Sequence, residues 1–483
     1  MQMKESALAD PGLRANSVGL PGAVIMSAAI MGPAVSTFFN PQFSTPFSGP
    51  ATPFVYLVAL VGVLITASGV IAMASVTPSA GSFYTYVAQG LGPRTGFVTG
   101  GLLFVAYALL PPIEIALIGS YLQQTIKQYF GLNIPWVLIS VIPWVVMTIL
   151  ALEGLRTSLR TSLILFGIEV AVVLLMALIV VLAGGNGGLS AHPLTPAASP
   201  HGIGGIVTGL VFGALSFVGF EGATTLGEEA REPRRTIPRA IALSTLAVGL
   251  LYVFCIWAEV LGLGDEKINA LTGSSTPWND LAGLYAPWMT PFIVVASVSS
   301  MFAVAVAANN GVVRVLYAMG REGLLPAFFA KIDPKHRVPS NAVWFQGGLS
   351  MLAVLIVGQV SGGLANPDGG ANVYGYLGFV LTLAILIVYV LANAAAIAFF
   401  RRRGNANPLL HVILPGLGIL MIIGLFVGQI IENTDPPYTW MPWLILAWFA
   451  ALCAAAAWLS FARPSVIGKA GAVLDTGAGS ATG

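Results

Sequence analysis

Charged residues are scarce in this 483-residue chain. Asp, Glu, Lys and Arg together make up 8% of it, whereas hydrophobic residues make up 57%. Soluble domains carry roughly 25% charged residues, so the composition excludes an ordinary soluble protein. Apolar runs long enough to cross a bilayer as helices, about 20 residues each, recur along the chain. Strands of a membrane β-barrel would be about ten residues long and would alternate in polarity. We therefore expect an all-α integral membrane protein.

Cysteine and histidine are also rare. The two cysteines, Cys255 and Cys453, both lie in apolar runs, which argues against a disulfide framework and indicates buried thiols. Four histidines leave little material for a metal site. The sequence also lacks the H-E-x-x-H and G-x-S-x-G motifs of two large enzyme classes. We expect neither an enzyme nor a cofactor.

The apolar runs indicate about twelve membrane spans. Their approximate bounds are 20–40, 53–76, 96–127, 134–152, 160–184, 203–227, 239–262, 289–319, 341–360, 372–400, 409–431 and 439–461. The distribution of the 21 Lys and Arg residues tests this count. If the N-terminus is cytoplasmic, only Lys127 and Lys267 fall on the outer side. A missed span would reverse every later loop, so we predict twelve spans, both termini in the cytoplasm and a location in the cytoplasmic membrane.

Two spans carry helix-breaking residues at corresponding places. The first contains SAAIMGPAVSTFF (residues 27–39), where Pro33 follows Gly32, and the sixth contains SFVGFEG (residues 216–222), with Gly219 at its centre. Proline suits the first turn of a new half-helix, and glycine suits the left-handed end of one. Transporters often bind their substrate where two such spans unwind near the midplane. The two spans are five apart, as expected for two repeats of five helices followed by two further helices.

The two breaks predict a substrate site. Free N–H groups after the first break would bind a carboxylate, and free carbonyl groups at the sixth would bind an ammonium group. The aromatic rings of the sixth span would form walls or a gate. A simple proline kink, or glycines that only allow close helix packing, are the alternatives. The predicted binding residues at the breaks are Ala29, Ile30, Gly32, Pro33, Ala34, Val35, Ser36, Ser216, Phe217, Val218, Gly219 and Phe220.

Few carboxylates lie within the spans, and each is costly in a bilayer. Glu114 follows two prolines in the third span and either faces a substrate ammonium group or is a buried, protonated structural acid. Glu169 in the fifth span has no basic residue near it in sequence, so we expect it to exchange protons. Glu221 lies beside the sixth-span break, where it caps the second half-helix or responds to gating. Glu259, near the end of the seventh span, is expected to be interfacial.

Three stretches resemble the amino acid–polyamine–organocation (APC) permeases. They are PSAGSFYTYVAQGLGPRTGFVTG (78–100), SFVGFEGATTLGEEAREPRRTIPRAI (216–241) and NNGVVRVLYAMGREGLLPAFFAKIDPKHRVPSNAV (309–343). The resemblance covers about residues 18–462 and implies a five-plus-five inverted-repeat, LeuT-like fold. Its parts would be a first repeat at 18–184, a second at 185–400, helices 11 and 12 at 401–462, and cytoplasmic tails at 1–17 and 463–483.

The resemblance implies secondary active transport by alternating access. Import of amino acids, coupled to protons, is the leading expectation. Exchange, or import of small amines or polyamines, is the alternative, and a channel or membrane sensor is a third class. Relatives often carry a functional residue, sometimes a lysine, at the position of Glu169. The eighth span matches the sodium site of distant relatives, where Ser297 and Ser300 would contribute; proton coupling is favoured over sodium coupling.

The loop after the sixth span, GEEAREPRRTIPRAI, is unusually rich in arginine. Basic residues hold such a loop in the cytoplasm. Ion pairs within it would latch an inner gate; alternatively, the loop is solvated and only sets the orientation of the chain. The candidate partners are Glu228, Glu229 and Glu232 with Arg231, Arg234, Arg235 and Arg239.

Overall fold

The computed structural model describes residues 18–77, 82–226, 230–264, 268, 274, 276–321, 323–404, 406–433 and 436–468. Within those ranges the chain is helical, with one isolated bridge between Val18 and Ala230 and no strand. Ten helical segments are long and apolar enough to cross a membrane. Two shorter apolar segments, Leu20–Ile30 and Phe166–Leu182, complete the twelve spans expected from the sequence. The prediction of an all-α, multi-span membrane protein is confirmed.

The first five spans contain eight α-helices, and a ninth connects spans 2 and 3. Span 1 consists of α1 (Leu20–Ile30) and α2 (Pro33–Phe38), continued by α3 (Asn40–Ser48), and span 2 is α4 (Thr52–Val76). A connecting helix, α5 (Ser82–Leu91), leads to span 3, which is divided into α6 (Pro93–Ala108) and α7 (Leu110–Phe130). Spans 4 and 5 are α8 (Trp136–Glu153) and α9 (Leu155–Leu182).

The remaining spans follow with one further connecting helix. Span 6 consists of α10 (Gly202–Leu215) and a 3-10 helix (Phe220–Leu226), and span 7 is α11 (Pro233–Leu263). The helix α12 (Pro277–Tyr285) precedes span 8, α13 (Thr290–Arg321). Spans 9 to 12 are α14 (Ser340–Val360), α15 (Gly369–Arg403), α16 (Leu414–Glu432) and α17 (Met441–Ala462), and a short α18 (Pro464–Ile467) comes last.

The breaks of spans 1 and 6 lie where the sequence predicts them. Gly32 separates α1 from α2 with a left-handed backbone (φ 56°, ψ 74°), and Pro33 opens α2. In span 6, α10 ends at Leu215, and Gly219 adopts φ 102° before the chain continues. The continuation differs from the expected α-helix, because residues 220–226 form a 3-10 helix. Each change of direction uses a residue with little steric or hydrogen-bonding cost there.

Polar and apolar surfaces are arranged as a bilayer requires. Large apolar side chains on the outer faces of the spans are exposed, among them Ile142 of α8, Leu420 of α16 and Phe461 of α17. Aromatic residues such as Phe217 and Tyr252 are instead fully enclosed between spans. The unusual feature is therefore the centre of the bundle, where buried polar side chains collect around the two breaks.

The arginine-rich loop contacts the start of span 1 through its backbone. Arg231 N–H donates to Val18 O at 2.8 Å. Glu232 and Arg235 form an ion pair at 3.5 Å whose side chains are about three-quarters exposed, and such exposed pairs contribute little stability. Glu228 and Glu229 lie outside the described residues. Among the described residues, a main-chain hydrogen bond thus ties this loop to the start of span 1.

Candidate functional site

The breaks of spans 1 and 6 lie directly against each other. Ile30, at the end of α1, packs on Gly219, where an added Cβ would overlap it, and on Gly222, where an added Cβ would be 2.6 Å from Ile30 Cδ1. Close by, Ala223 N–H donates to Ser27 Oγ at 2.7 Å. Gly219 therefore has two roles that the sequence left as alternatives: it allows the turn, and it allows close packing.

Tyr252 of α11 joins the two breaks through their carbonyl oxygens. Its hydroxyl lies 2.7 Å from Met31 O and 3.1 Å from Ser216 O. Ser36 approaches the same pair, with its Oγ 2.8 Å from Met31 O and 3.5 Å from Ser216 O. The hydroxyl groups of two side chains thus form hydrogen bonds with the carbonyl oxygens at the two breaks.

The expectation of unpaired carbonyl groups in span 6 is wrong for two of its three members. Ser216 O is bound by Tyr252, and Phe217 O accepts the N–H of Phe220 at 3.1 Å. The second bond forms because the chain continues as a 3-10 helix, whose i→i+3 bonds use this carbonyl. The side chains of Phe217, Val218 and Phe220 are all buried at the break.

The N–H groups that follow the first break are also engaged, contrary to expectation. Val35 N–H donates to Ser300 Oγ at 3.1 Å. Ser36 N–H closes the first turn of α2 at 2.9 Å. Ala34 N–H interacts with the carboxylate of Glu169 on α9. The backbone N–H groups that were predicted to be free for a substrate therefore have protein partners in this conformation.

Glu169 lies at the first break, between α2 and α13, and only 1% of it is exposed. Besides Ala34, its carboxylate interacts with the hydroxyl groups of Ser299 and Ser300. Its Oε1 atom nevertheless has no hydrogen-bond partner among the described residues. The sequence predicted a functional role for Glu169 but not this position. Ser299 was not predicted at all.

Glu114 approaches the same region from α7. It is 2% exposed, its Oε2 atom lacks a hydrogen-bond partner within the described chain, and it interacts electrostatically with Glu169. Its neighbour Tyr374 donates to Asn40 Oδ1 at 2.6 Å, and Asn40 Nδ2 donates to Ser216 Oγ at 2.7 Å. A series of hydrogen bonds therefore leads from Tyr374 through Asn40 to Ser216 at the break of span 6, and Glu114 interacts electrostatically with its first member.

Glu221, beside the break of span 6, has both carboxylate oxygens occupied. Tyr107 of α6 donates to Oε1, and Tyr389 of α15 lies 3.4 Å from Oε2. Its backbone carbonyl accepts the hydroxyl of Thr224 at 2.7 Å. This carboxylate thus connects spans 3, 6 and 10.

Ser297 and Ser300 on α13 have different surroundings. Ser300 binds Val35 N–H at the first break. Ser297 is fully buried and faces Tyr121 on α7, without a hydrogen bond of good geometry to any described residue. The residue that joins Ser300 around Glu169 is Ser299.

Glu259, which the sequence predicts to be interfacial, lies in the protein interior rather than at an exposed surface. It is completely buried, and neither of its oxygens has a well-formed hydrogen bond to a described residue. It interacts with Trp278 of α12, whose indole N–H donates to Thr37 O at 3.2 Å. The reason is tertiary: α12 lies over this end of span 7, which the sequence places near solvent.

Buried charges in the described chain are all potential anions. The buried ionisable side chains include four glutamates, whereas every lysine and arginine whose side chain is described is exposed. A buried carboxylate without a cationic partner is strongly disfavoured unless it is protonated or receives a cation. The four glutamates are Glu114, Glu169, Glu221 and Glu259.

Several polar residues of the site were missed by the sequence reasoning. They share one signal, which is a hydroxyl or amide side chain within an otherwise apolar span. Single tyrosines and serines in membrane helices are common packing residues, so this signal does not separate site residues from others. The missed residues are Asn40, Tyr107, Tyr252, Ser299, Tyr374 and Tyr389.

Comparison with known proteins assigns this architecture. The profile of the family described as "Amino acid permease" matches residues 19–454. The low-affinity putrescine importer PlaP of Escherichia coli (strain K12) is 27% identical over 386 residues, which cover 78% of this chain and 80% of PlaP. The branched-chain amino acid permease BcaP of Bacillus subtilis (strain 168) is 24% identical over 414 residues, covering 79% and 81%. BcaP of Lactococcus lactis subsp. cremoris (strain MG1363) is 25% identical over 413 residues, covering 80% and 83%. These are permeases rather than enzymes, in agreement with the three motif stretches.

Proposed function

Because the chain belongs to the amino acid permease family, we propose that it imports amino acids or related amines by alternating access, coupled to protons. The observation that supports this most is the meeting of two interrupted spans at the centre of the bundle, with the buried carboxylate of Glu169 against one of them. Any movement of α2 changes the hydrogen bonding and the surroundings of this carboxylate. Its protonation can therefore be linked to the conformation of the break.

The names of the relatives indicate two substrate classes, amines and amino acids. PlaP is named for putrescine and the BcaP proteins for branched-chain amino acids. These molecules share an amino group, which is cationic at neutral pH. Buried carboxylates and the Val218 carbonyl at the sixth-span break are suited to bind such a group. The proposed substrates therefore include both amino acids and amines.

Transport requires the buried site to open to each side in turn. Phe217, Phe220 and Tyr252 are enclosed in the described conformation, so a substrate reaches the breaks only after helices move. The half-helices of spans 1 and 6 are joined through Gly32 and Gly219, whose backbone can absorb a change in angle. We propose that these glycines are hinges of that movement.

Orientation and domain limits complete the proposal. We propose that both termini are cytoplasmic and that the chain lies in the cytoplasmic membrane; the distribution of basic residues supports this orientation. Residues 18–184 and 185–400 would form the two five-helix repeats, and residues 401–462 the two additional spans. Exchange is the alternative mode of transport, and a sodium ion is the alternative coupling ion.

The test is uptake by purified protein in liposomes that are alkaline inside. Radiolabelled amino acids and amines should enter with saturable kinetics, and collapse of the pH gradient should reduce the uptake. Glu153→Gln is a matched control, because Glu153 lies at the exposed end of α8. Uptake that needs internal substrate but no gradient would identify an exchanger. Ohmic currents without saturation would identify a channel and contradict the proposal.

A further inference from the structure

Groups of the protein, with Glu169 among them, engage the main-chain donors that an amino acid carboxylate would need. After the break at Gly32, the N–H of Ala34 meets the Glu169 carboxylate, and the N–H of Val35 meets Ser300. The next N–H is used within α2. The anion that the first break binds is therefore a side chain of the protein itself.

The surroundings of this carboxylate also disfavour a second anion. Glu114 interacts electrostatically with Glu169, and the nearby Tyr252 and Tyr374 carry no positive charge. Every lysine and arginine with a described side chain is exposed, so none of those neutralises the pair. A substrate carboxylate at this place would meet two acidic groups and none of the described lysine or arginine side chains. Like charges repel strongly where water is excluded.

Each of the two acids retains one open acceptor. Glu114 Oε2 and Glu169 Oε1 are both buried, and neither has a hydrogen-bond partner among the described residues. An ammonium group has three N–H donors and a positive charge, so it satisfies an open carboxylate oxygen in both respects. The two vacant acceptors thus suit an ammonium group, and the acidic surroundings disfavour a carboxylate on the same ligand.

We propose that the substrate of this protein is a primary amine or diamine that lacks a carboxylate. Glu114 accepts hydrogen bonds from its ammonium group. Glu169 supplies the negative charge that an amino acid would bring with its own carboxylate. This inference rests on the proposed transport function and specifies its substrate class. It concerns the ligand and leaves the coupling ion as proposed above.

The first experiment compares amino acids with the amines that differ from them only by the carboxylate. The matched pairs are leucine with 3-methylbutylamine and ornithine with 1,4-diaminobutane. Binding to the purified full-length protein is measured by isothermal titration calorimetry. In both pairs, the amine should bind at least about tenfold more tightly, because both members carry the same ammonium group and only the amino acid brings a carboxylate that the acidic site repels. Tighter binding of leucine and ornithine than of their amines would overturn the inference.

The second experiment removes the built-in carboxylate. Glu169→Ala frees the N–H of Ala34 and the hydroxyl of Ser299, so the preference for the amine should fall by at least about tenfold in each pair. Glu169→Gln keeps the volume without the charge and covers the case in which the alanine variant fails to fold. Glu153→Gln is the control and should keep the wild-type preference. An unchanged preference in the Glu169 variants would refute the role given to this residue.

Uptake by the same protein in liposomes separates this inference from the proposed function. If 1,4-diaminobutane and 3-methylbutylamine enter with saturable kinetics, and leucine and ornithine enter more slowly, both stand. If the amino acids enter and the amines do not, the protein is a transporter but the inference is wrong. If no member of either pair enters and none binds, the proposed function itself fails.

Discussion

The two helix breaks each have a buried glutamate, but the two glutamates are bound differently. At the sixth-span break, Glu221 is adjacent in sequence, and tyrosines from two other spans contact both of its oxygens. At the first-span break, Glu169 comes from a different span, contacts Ala34 N–H and two serines, and keeps Oε1 open. Burial alone is the same in both cases. The presence of an open carboxylate oxygen distinguishes an acid that can exchange a proton or bind a cation from one that joins helices.

The difference has a physical origin. A carboxylate held by two hydroxyl donors gains little from a further ligand, whereas one with an open oxygen gains a complete hydrogen bond. Glu221 is therefore expected to stabilise the fold around span 6. Glu169 is expected to act in transport. The following variants test that division, from the largest expected effect to the smallest.

Replacing Glu169 with glutamine should have the largest effect. Glutamine keeps the volume of the side chain but cannot exchange a proton, so uptake driven by a pH gradient should fall to background. Some substrate binding or exchange should remain. Radiolabelled uptake into liposomes measures both, with Glu153→Gln as the control. Unchanged gradient-driven uptake would remove Glu169 from the coupling mechanism.

Replacing Gly219 with leucine should abolish substrate binding. The position has φ 102°, and an added Cβ would overlap Ile30, so the two breaks could no longer keep their contact. Backbone strain of this kind costs about 1–3 kcal/mol before the steric overlap is counted. Gly424→Leu on the open face of α16 is the matched control, because an added Cβ there meets no described atom within 4 Å. Normal affinity in Gly219→Leu would show that the contact between breaks is dispensable.

Replacing Tyr107 with phenylalanine should reduce stability rather than coupling. It leaves Glu221 Oε1 without its donor, and an unsatisfied buried acceptor costs about 1–3 kcal/mol. The thermal unfolding temperature should fall, while the pH dependence of the remaining uptake should stay as in the wild type. Tyr129→Phe, at an exposed residue, should change neither. A changed pH dependence with normal stability would move the coupling role to Glu221.

Replacing Glu114 with glutamine should have a smaller and selective effect. The variant loses a negative charge beside an open acceptor, so affinity for cationic amines should fall by about tenfold. Neutral amino acids should be affected less. Competition binding with both classes measures the difference. Equal losses for the two classes would assign Glu114 to a structural role only.

The predicted spans and their breaks agree with the structure because their causes are local. Gly32, Pro33 and Gly219 act on the backbone where they stand, and apolar length is a property of each segment. The predictions about free donors and acceptors were less successful. They assumed that the N–H and carbonyl groups at a helix break stay unpaired until a ligand binds. Ser300 and Tyr252 instead form hydrogen bonds with two of these groups.

Glu259 and Tyr252 show which features remain inaccessible to such reasoning. Glu259 stands close to the end of its span and looks interfacial, but α12 lies over it. Tyr252 is one tyrosine in an apolar run, and nothing around it in the sequence indicates that its hydroxyl meets Met31 O, 221 positions away. Both depend on which helices become neighbours.

By itself, the sequence determined the class of protein, the number of spans and the positions of the two breaks. A bilayer requires each span to be apolar and to form its backbone hydrogen bonds internally. These properties therefore depend on the local amino-acid sequence of each segment. Only the tertiary structure decided which acid meets which break. The reason is that the partners come from different helices, and packing alone brings Glu169 to Ala34 and two tyrosines to Glu221.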